Sequence, residues 1–138
     1  MTSGEGASGR QITGIHHVAV IASDYAASKN FYVEVLGCRI VEETHRVERN
    51  SWKLDLALAD GVQIELFSFP SPPPRPSYPE ACGLRHLALA VKDLDAAVAD
   101  LTARGVAVED IRVDELTGRR FTFFADPDGL PLEFYEMG

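Results

Sequence analysis

At 138 residues the chain is one domain's worth of sequence, and 46% hydrophobic content supplies a core without disulfides or a structural metal. Its formal charge of −8, from 13 Lys and Arg against 21 Asp and Glu, has the wrong sign for a nucleic-acid or anionic-membrane surface. Two cysteines without CxxC spacing, Cys38 and Cys82, make no disulfide framework, and no apolar run reaches membrane-spanning length, so a cytoplasmic protein is expected.

In chain order, residues 1–13 are small and polar and read as a disordered tail before a single domain, 14–138. The first strand is expected over Ile15–Ala22, an apolar run rich in β-branched residues. Asp24 then offers a carboxylate to the free amides of a helix. Ser28, Phe31, Tyr32, Val35 and Leu36 recur at helical spacing behind it, and Gly37 ends it in a left-handed residue. Three more strands are expected over Cys38–Thr44, Ser51–Ala59 and Val62–Phe69, the last two joined by a tight Asp60-Gly61 turn. Residues 70–82 hold six of the eight prolines, which fix φ and remove backbone donors; this is a semi-rigid linker.

The second half repeats the first. Gly14-Ile-His-His17-Val-Ala-Val-Ile-Ala-Ser-Asp24 returns 69 residues later as Gly83-Leu-Arg-His86-Leu-Ala-Leu-Ala-Val-Lys-Asp93. Further on the offset is 68, pairing Gly37 with Gly105, Asp60-Gly61 with Asp128-Gly129 and Glu65 with Glu133; one residue fewer in the second helix accounts for the change. That helix carries Leu94, Ala97, Val98 and Leu101, and its strands are expected over Leu84–Val91, Val106–Val113, Arg119–Ala125 and Pro131–Glu136. The fold class is therefore α+β, two tandem βαβββ modules (14–69 and 83–138) curling into one barrel-like mixed sheet around a cleft.

Strand alternation selects the residues that can share that cleft. His17 shares its face with Ala19 and Ile21, and His86 occupies the equivalent position beside Ala88 and Ala90. Glu65 and Glu133 interrupt apolar strands at matching positions, where a carboxylate is costly to bury without a cation. If the modules pack face to face, two imidazoles and two carboxylates meet, a donor set suited to a divalent transition ion with positions left for substrate. By parity His16 faces the helix and is structural, and His45 is a surface residue. Arg46 with Arg49, and Arg119 with Arg120, are small basic pairs that either edge into solvent or hold an anion.

The paired modules, the His17 strand with its Asp24 helix, His86 in Leu-Arg-His-Leu-Ala, and the Asp126-Pro-Asp-Gly129 turn ahead of Glu133 resemble the vicinal oxygen chelate superfamily. Within it the chain is similar to glyoxalase I-like proteins, including small bacterial lyases. The resemblance implies one divalent ion (Ni, Zn, Co, Mn or Fe) held by His17, Glu65, His86 and Glu133. It further implies a lyase or isomerase acting on a hemithioacetal or related small molecule, with Glu133 or Glu65 as the base. It also implies a homodimer, with each site inside one chain or shared by module exchange. Arg46, Lys53 and Arg120 are the expected substrate contacts. The alternatives within the resemblance are an extradiol-type dioxygenase, an epimerase or thiol transferase, and a non-catalytic small-molecule binder. Neither nucleic acid nor membrane is an expected partner.

Overall fold

The structure, a computed structural model, describes residues 11–138, so the expected tail falls almost wholly outside the described residues. The first module runs β1 (His17–Ala22), a helix (Tyr25–Asn30), β2 (Arg39–Arg46), β3 (Ser51–Ala57) and β4 (Gln63–Ser68). The second runs β5 (Leu87–Val91), a helix (Leu94–Ala103), β6 (Arg112–Val113), β7 (Arg120–Ala125) and β8 (Pro131–Glu136). Both sheets have the same topology, β1-β4-β3-β2 and β5-β8-β7-β6, with a parallel β1/β4 or β5/β8 pair and antiparallel pairs elsewhere. The tandem α+β architecture read from the sequence is present.

Both helix starts are built as the sequence dictates. Asp24 accepts from the Ala27 amide and Asp93 from the Ala96 amide, each at 3.1 Å, satisfying a donor that the first turn leaves free. Gly37 and Gly105 follow the helices at φ of +78° and +86°, the left-handed region that a side chain would strain.

The change in repeat offset has a structural cause. In the first module the α-helix passes at Phe31–Val35 into a π-helical turn, in which Leu36 N–H donates to the Phe31 carbonyl. A π turn accommodates one residue more than an α turn. The second helix stays α-helical over Leu94–Ala103 and lacks that residue. The strand expected over Val106–Val113 is shortened to Arg112–Val113. Val106, Val108 and Ile111 instead pack irregularly against the core, with Glu109 N–H donating to the Phe123 carbonyl and the Glu109 carbonyl accepting from the Thr122 hydroxyl.

Alternation explains how the modules meet. Leu54, Leu56, Ile64 and Leu66 of the first sheet and Phe124, Leu132 and Phe134 of the second are buried in one shared core with Phe31, Tyr32, Leu94 and Leu101 of the helices. The apolar, helix-covered sides of the two sheets therefore merge, and the opposite faces, which carry the expected metal ligands, look away from that core. This corrects one expectation: the modules do not pack donor face to donor face; the strands lie in two four-stranded mixed sheets that do not close on one another. Burial of these helix-side apolar residues favours that docking.

Polar contacts lock this arrangement. Asp126 is buried at 6% exposure and accepts from the Tyr32 hydroxyl (2.8 Å) and from the amides of Asp128 and Leu130 (both 2.9 Å). Burial, reinforced by the Asp126 charge, pushes the Tyr32 hydroxyl far above its ordinary value, so it remains a donor. Asp128 binds both the amide and the hydroxyl of Ser23. Replacing Asp126 by Ala strands a tyrosine hydroxyl and two amides together, and chemical denaturation should show a loss of about 3 kcal/mol. Tyr32→Phe, which removes one partner only, should lose about 1 kcal/mol.

Candidate metal centre

Each sheet presents one His–Glu pair on the face turned away from the core. In the first module Glu65 stands beside Ala19 on one side and Asp55 on the other. His17 opens the edge strand β1, and its Nδ1 lies 3.5 Å from Glu65 Oε2. In the second module Glu133 stands between Ala88 and Phe123, and Glu133 Oε1 lies 3.1 Å from His86 Nε2. The Glu65 and Glu133 side chains are only 13% and 12% exposed. Carboxylates so far from water need a cation or several donors, and among the described residues Glu65 has, beyond its imidazole, only Lys53 Nζ, at 3.9 Å.

The structure thus pairs the four predicted ligands two by two. Among the described residues no group of three or more His, Cys, Asp or Glu side chains converges to hold a metal. That follows from the docking: with the helix sides fused, the two donor faces belong to different sides of the molecule. A His–carboxylate pair is a fitting half of a transition-ion site, since imidazole nitrogen and carboxylate oxygen both suit such ions. His86 Nδ1 is buried without a hydrogen-bond partner, an unusual state for a ring nitrogen.

The surroundings of the halves differ. The second donor face borders a cleft of about 660 Å³ lined by His86, Phe123, Arg112, Arg85 and, from the linker, Arg75 and Tyr78, a size suited to a small ligand. Arg75 holds the linker in place by donating to the carbonyls of Leu84 and Arg85, just before His86. The Phe123 ring meets the His86 imidazole edge to face at 5.0 Å and fixes one wall. The first donor face carries Lys53, whose ammonium is held by Asp55 at 2.7 Å; that hydrogen bond raises its pKa, so it stays a cation next to Glu65.

Other expected site residues separate clearly. Arg120 lies on the opposite face from Glu133, bonded to Glu136 and Asp95, where it ties β7 and β8 to the start of the second helix. Its guanidinium is fully engaged away from the donor face. Arg46 remains on the donor face of the first sheet, above Phe67 and Phe69. His16, read as structural on the helix side, is exposed, and its Nδ1 touches His17 Nδ1 at 2.9 Å, so one imidazole orients the other. His45 is exposed and stacks on Trp52. Asp55, facing Glu65 across the β3–β4 hairpin, was not singled out from the sequence. Counting back across the Asp60-Gly61 turn would have placed it there.

Among the described residues no helix is long and apolar enough to cross a membrane. The model of the Glyoxalase/Bleomycin resistance protein/Dioxygenase superfamily matches residues 14–134. The chain is 62% identical to the uncharacterised protein YaeR of Escherichia coli (strain K12), over 89% of this chain and 95% of that one. It is 32% identical to a 2-epi-5-epi-valiolone epimerase of Actinomyces sp, over 94% of this chain and 84% of the epimerase. Its fold is similar to the crystal structure of a glyoxalase family protein from Enterococcus faecalis, at a TM-score of 0.83 and 53% identity, covering 89% of this chain and 97% of that one. With both the repeated module and the whole-length match in place, the chain belongs to the Glyoxalase/Bleomycin resistance protein/Dioxygenase superfamily.

Proposed function

We propose that this protein is a metal-dependent lyase or isomerase of glyoxalase type, and that its metal site is completed by a second copy of the chain. The observation that carries the reading is the duplicated half-site: one His–Glu pair per module, its carboxylate largely shielded from water, each on an uncovered sheet face. His17 and Glu65 would supply two ligands, and His86 and Glu133 the other two. Edge geometry supports the pairing of copies. Among the described residues β1 bonds only to β4 and β5 only to β8, so both strands that carry or follow a proposed His ligand keep an open edge. Ile15, Ile21 and Leu84 along these edges are more than half exposed, the kind of apolar border that a partner covers.

A divalent ion bound by this quartet would act as a Lewis acid toward two neighbouring oxygens of a substrate such as a hemithioacetal. The chain's own residues then do the rest. Glu133 takes the proton from the carbon next to the carbonyl and returns it to the neighbouring carbon. It suits that task better than Glu65. Glu133 faces the small Ala88 and pairs with His86, which lines the cleft, whereas Glu65 is already engaged by Lys53 and faces Asp55. Phe123 and the linker residues Arg75 and Tyr78 line the cleft beside His86.

The epimerase relative favours a second reading, in which the same proton transfer inverts a carbon centre. Elemental analysis of the protein as isolated, followed by a methylglyoxal–thiol assay with the found metal restored, tests the proposal. Near-stoichiometric divalent metal and turnover are expected. A folded, dimeric protein that neither retains nor takes up metal would refute it.

A further inference from the structure

We infer that Arg46 is the anchor for an anionic group of the substrate, so that the molecule bound at the His17–Glu65 face carries a carboxylate or phosphate remote from its chelating oxygens. This rests on the proposed metal site and names the substrate class that fits it.

The cations near the two donor faces are not equivalent. Lys53 is held by Asp55, Arg85 by Glu80 and Arg112 by Glu109, while Arg75 is spent on two backbone carbonyls. Arg120 is bonded to Glu136 and Asp95 on the opposite face. Arg46 differs from all of these. Among the described residues it pairs with no carboxylate; its one side-chain partner is the neutral hydroxyl of Ser51, at 3.0 Å. Its Nε is buried and has no hydrogen-bond partner, a state shared by the Nε of Arg75, whose Nη2 is already taken up by two carbonyls. A half-buried guanidinium with an orphaned N–H is a costly arrangement unless something brings it an acceptor.

Its position is fixed in advance. The guanidinium carbon lies 4.9 Å from the centroid of Phe67 and 5.8 Å from that of Phe69, and those two rings are stacked on each other at 5.9 Å. A planar cation laid on aromatic rings keeps its edge N–H groups free while losing little freedom when it binds, which suits bidentate capture of a carboxylate or phosphate. Phe67 follows Glu65 by two residues on the same face of β4, one pleat repeat or about 7 Å along the strand. An anion at Arg46 would therefore sit on the order of one pleat repeat from the Glu65 carboxylate, the reach of a short chain and not of a second oxygen on the same carbon pair.

The test compares two 2-oxo acids on the zinc-loaded protein by calorimetry. 2-Oxobutyrate offers only the neighbouring oxygens, and 2-oxoglutarate adds a remote carboxylate. The wild-type protein should bind 2-oxoglutarate at least about tenfold more tightly, as for a charge-assisted bidentate pair. Arg46→Gln should remove that preference while leaving zinc affinity and 2-oxobutyrate binding unchanged, and Arg46→Lys should restore part of it. Equal affinities in the wild type, or a preference that survives Arg46→Gln, would overturn the inference with the metal site intact. Arg46→Gln that weakens self-association and not the preference would also overturn it, since Arg46 would then pair with a second copy. Failure of the wild type to bind zinc is the separate result that removes the metal-site reading itself.

Discussion

Glu133→Gln should lower turnover of the methylglyoxal hemithioacetal by about 10²–10⁴-fold, the range that a positioned general base contributes. Gln has nearly the same shape and keeps a carbonyl oxygen to offer a metal, so folding and most metal binding should persist; what it lacks is the capacity to accept a proton. Glu65→Gln is the natural comparison. Glu65 sits with Lys53 and Asp55 on a face away from the cleft lined by His86, the partner of Glu133, so its loss should weaken metal retention more than the proton transfer. Single-turnover rates with metal content measured on the same samples separate the two effects. Equal losses of rate from both substitutions at full metal occupancy would contradict the assignment of the base.

The second large effect is expected on metal affinity. His17→Ala or His86→Ala removes one of the four proposed donors, so the loss should exceed the 10–100-fold typical of removing a group that only orients a ligand. His16→Ala tests that lower range directly, because His16 touches His17 and not the carboxylate. Competition with a chelator measures all three. The helix-side core is untouched in each variant, so the thermal midpoint without metal should not move appreciably.

The two His–Glu pairs of the candidate site were legible in the sequence because the repeat gave each residue a second instance. A single strand Glu among apolar neighbours says little; Glu65 and Glu133 recur at matched positions, each beside a matched histidine. Asp24 and Asp93 as caps, and Gly37 and Gly105 as helix ends, were readable for the same reason: local chemistry fixes them. The inserted residue showed as a change of offset, though only the backbone reveals that a π turn at Phe31–Val35 absorbs it.

What could not be read was which faces meet. Alternation says that each sheet has two faces, and both were candidates for the inside. The choice depends on the summed apolar area of Leu54, Leu56, Ile64, Leu66, Leu132 and Phe134 against the helices, a long-range property of the whole chain. The same gap explains the substrate contacts. Arg46 and Arg120 look alike as members of basic pairs, but one side chain lands on aromatic rings and the other between two carboxylates on the far side of its sheet. A register set by β6, β7 and β8 decides that, and the shortening of β6 to two residues was not foreseen.

Metal content after mixing variants tests the shared site most directly. His17→Ala and His86→Ala chains each lack one donor from every quartet and should be nearly empty when made alone. Co-expressed, they form heterodimers in which one quartet combines an intact His17–Glu65 half with an intact His86–Glu133 half. With random pairing the mixture should recover about one quarter of the wild-type metal and activity. A mixture no better than its separate components would contradict a site built from two copies of the chain.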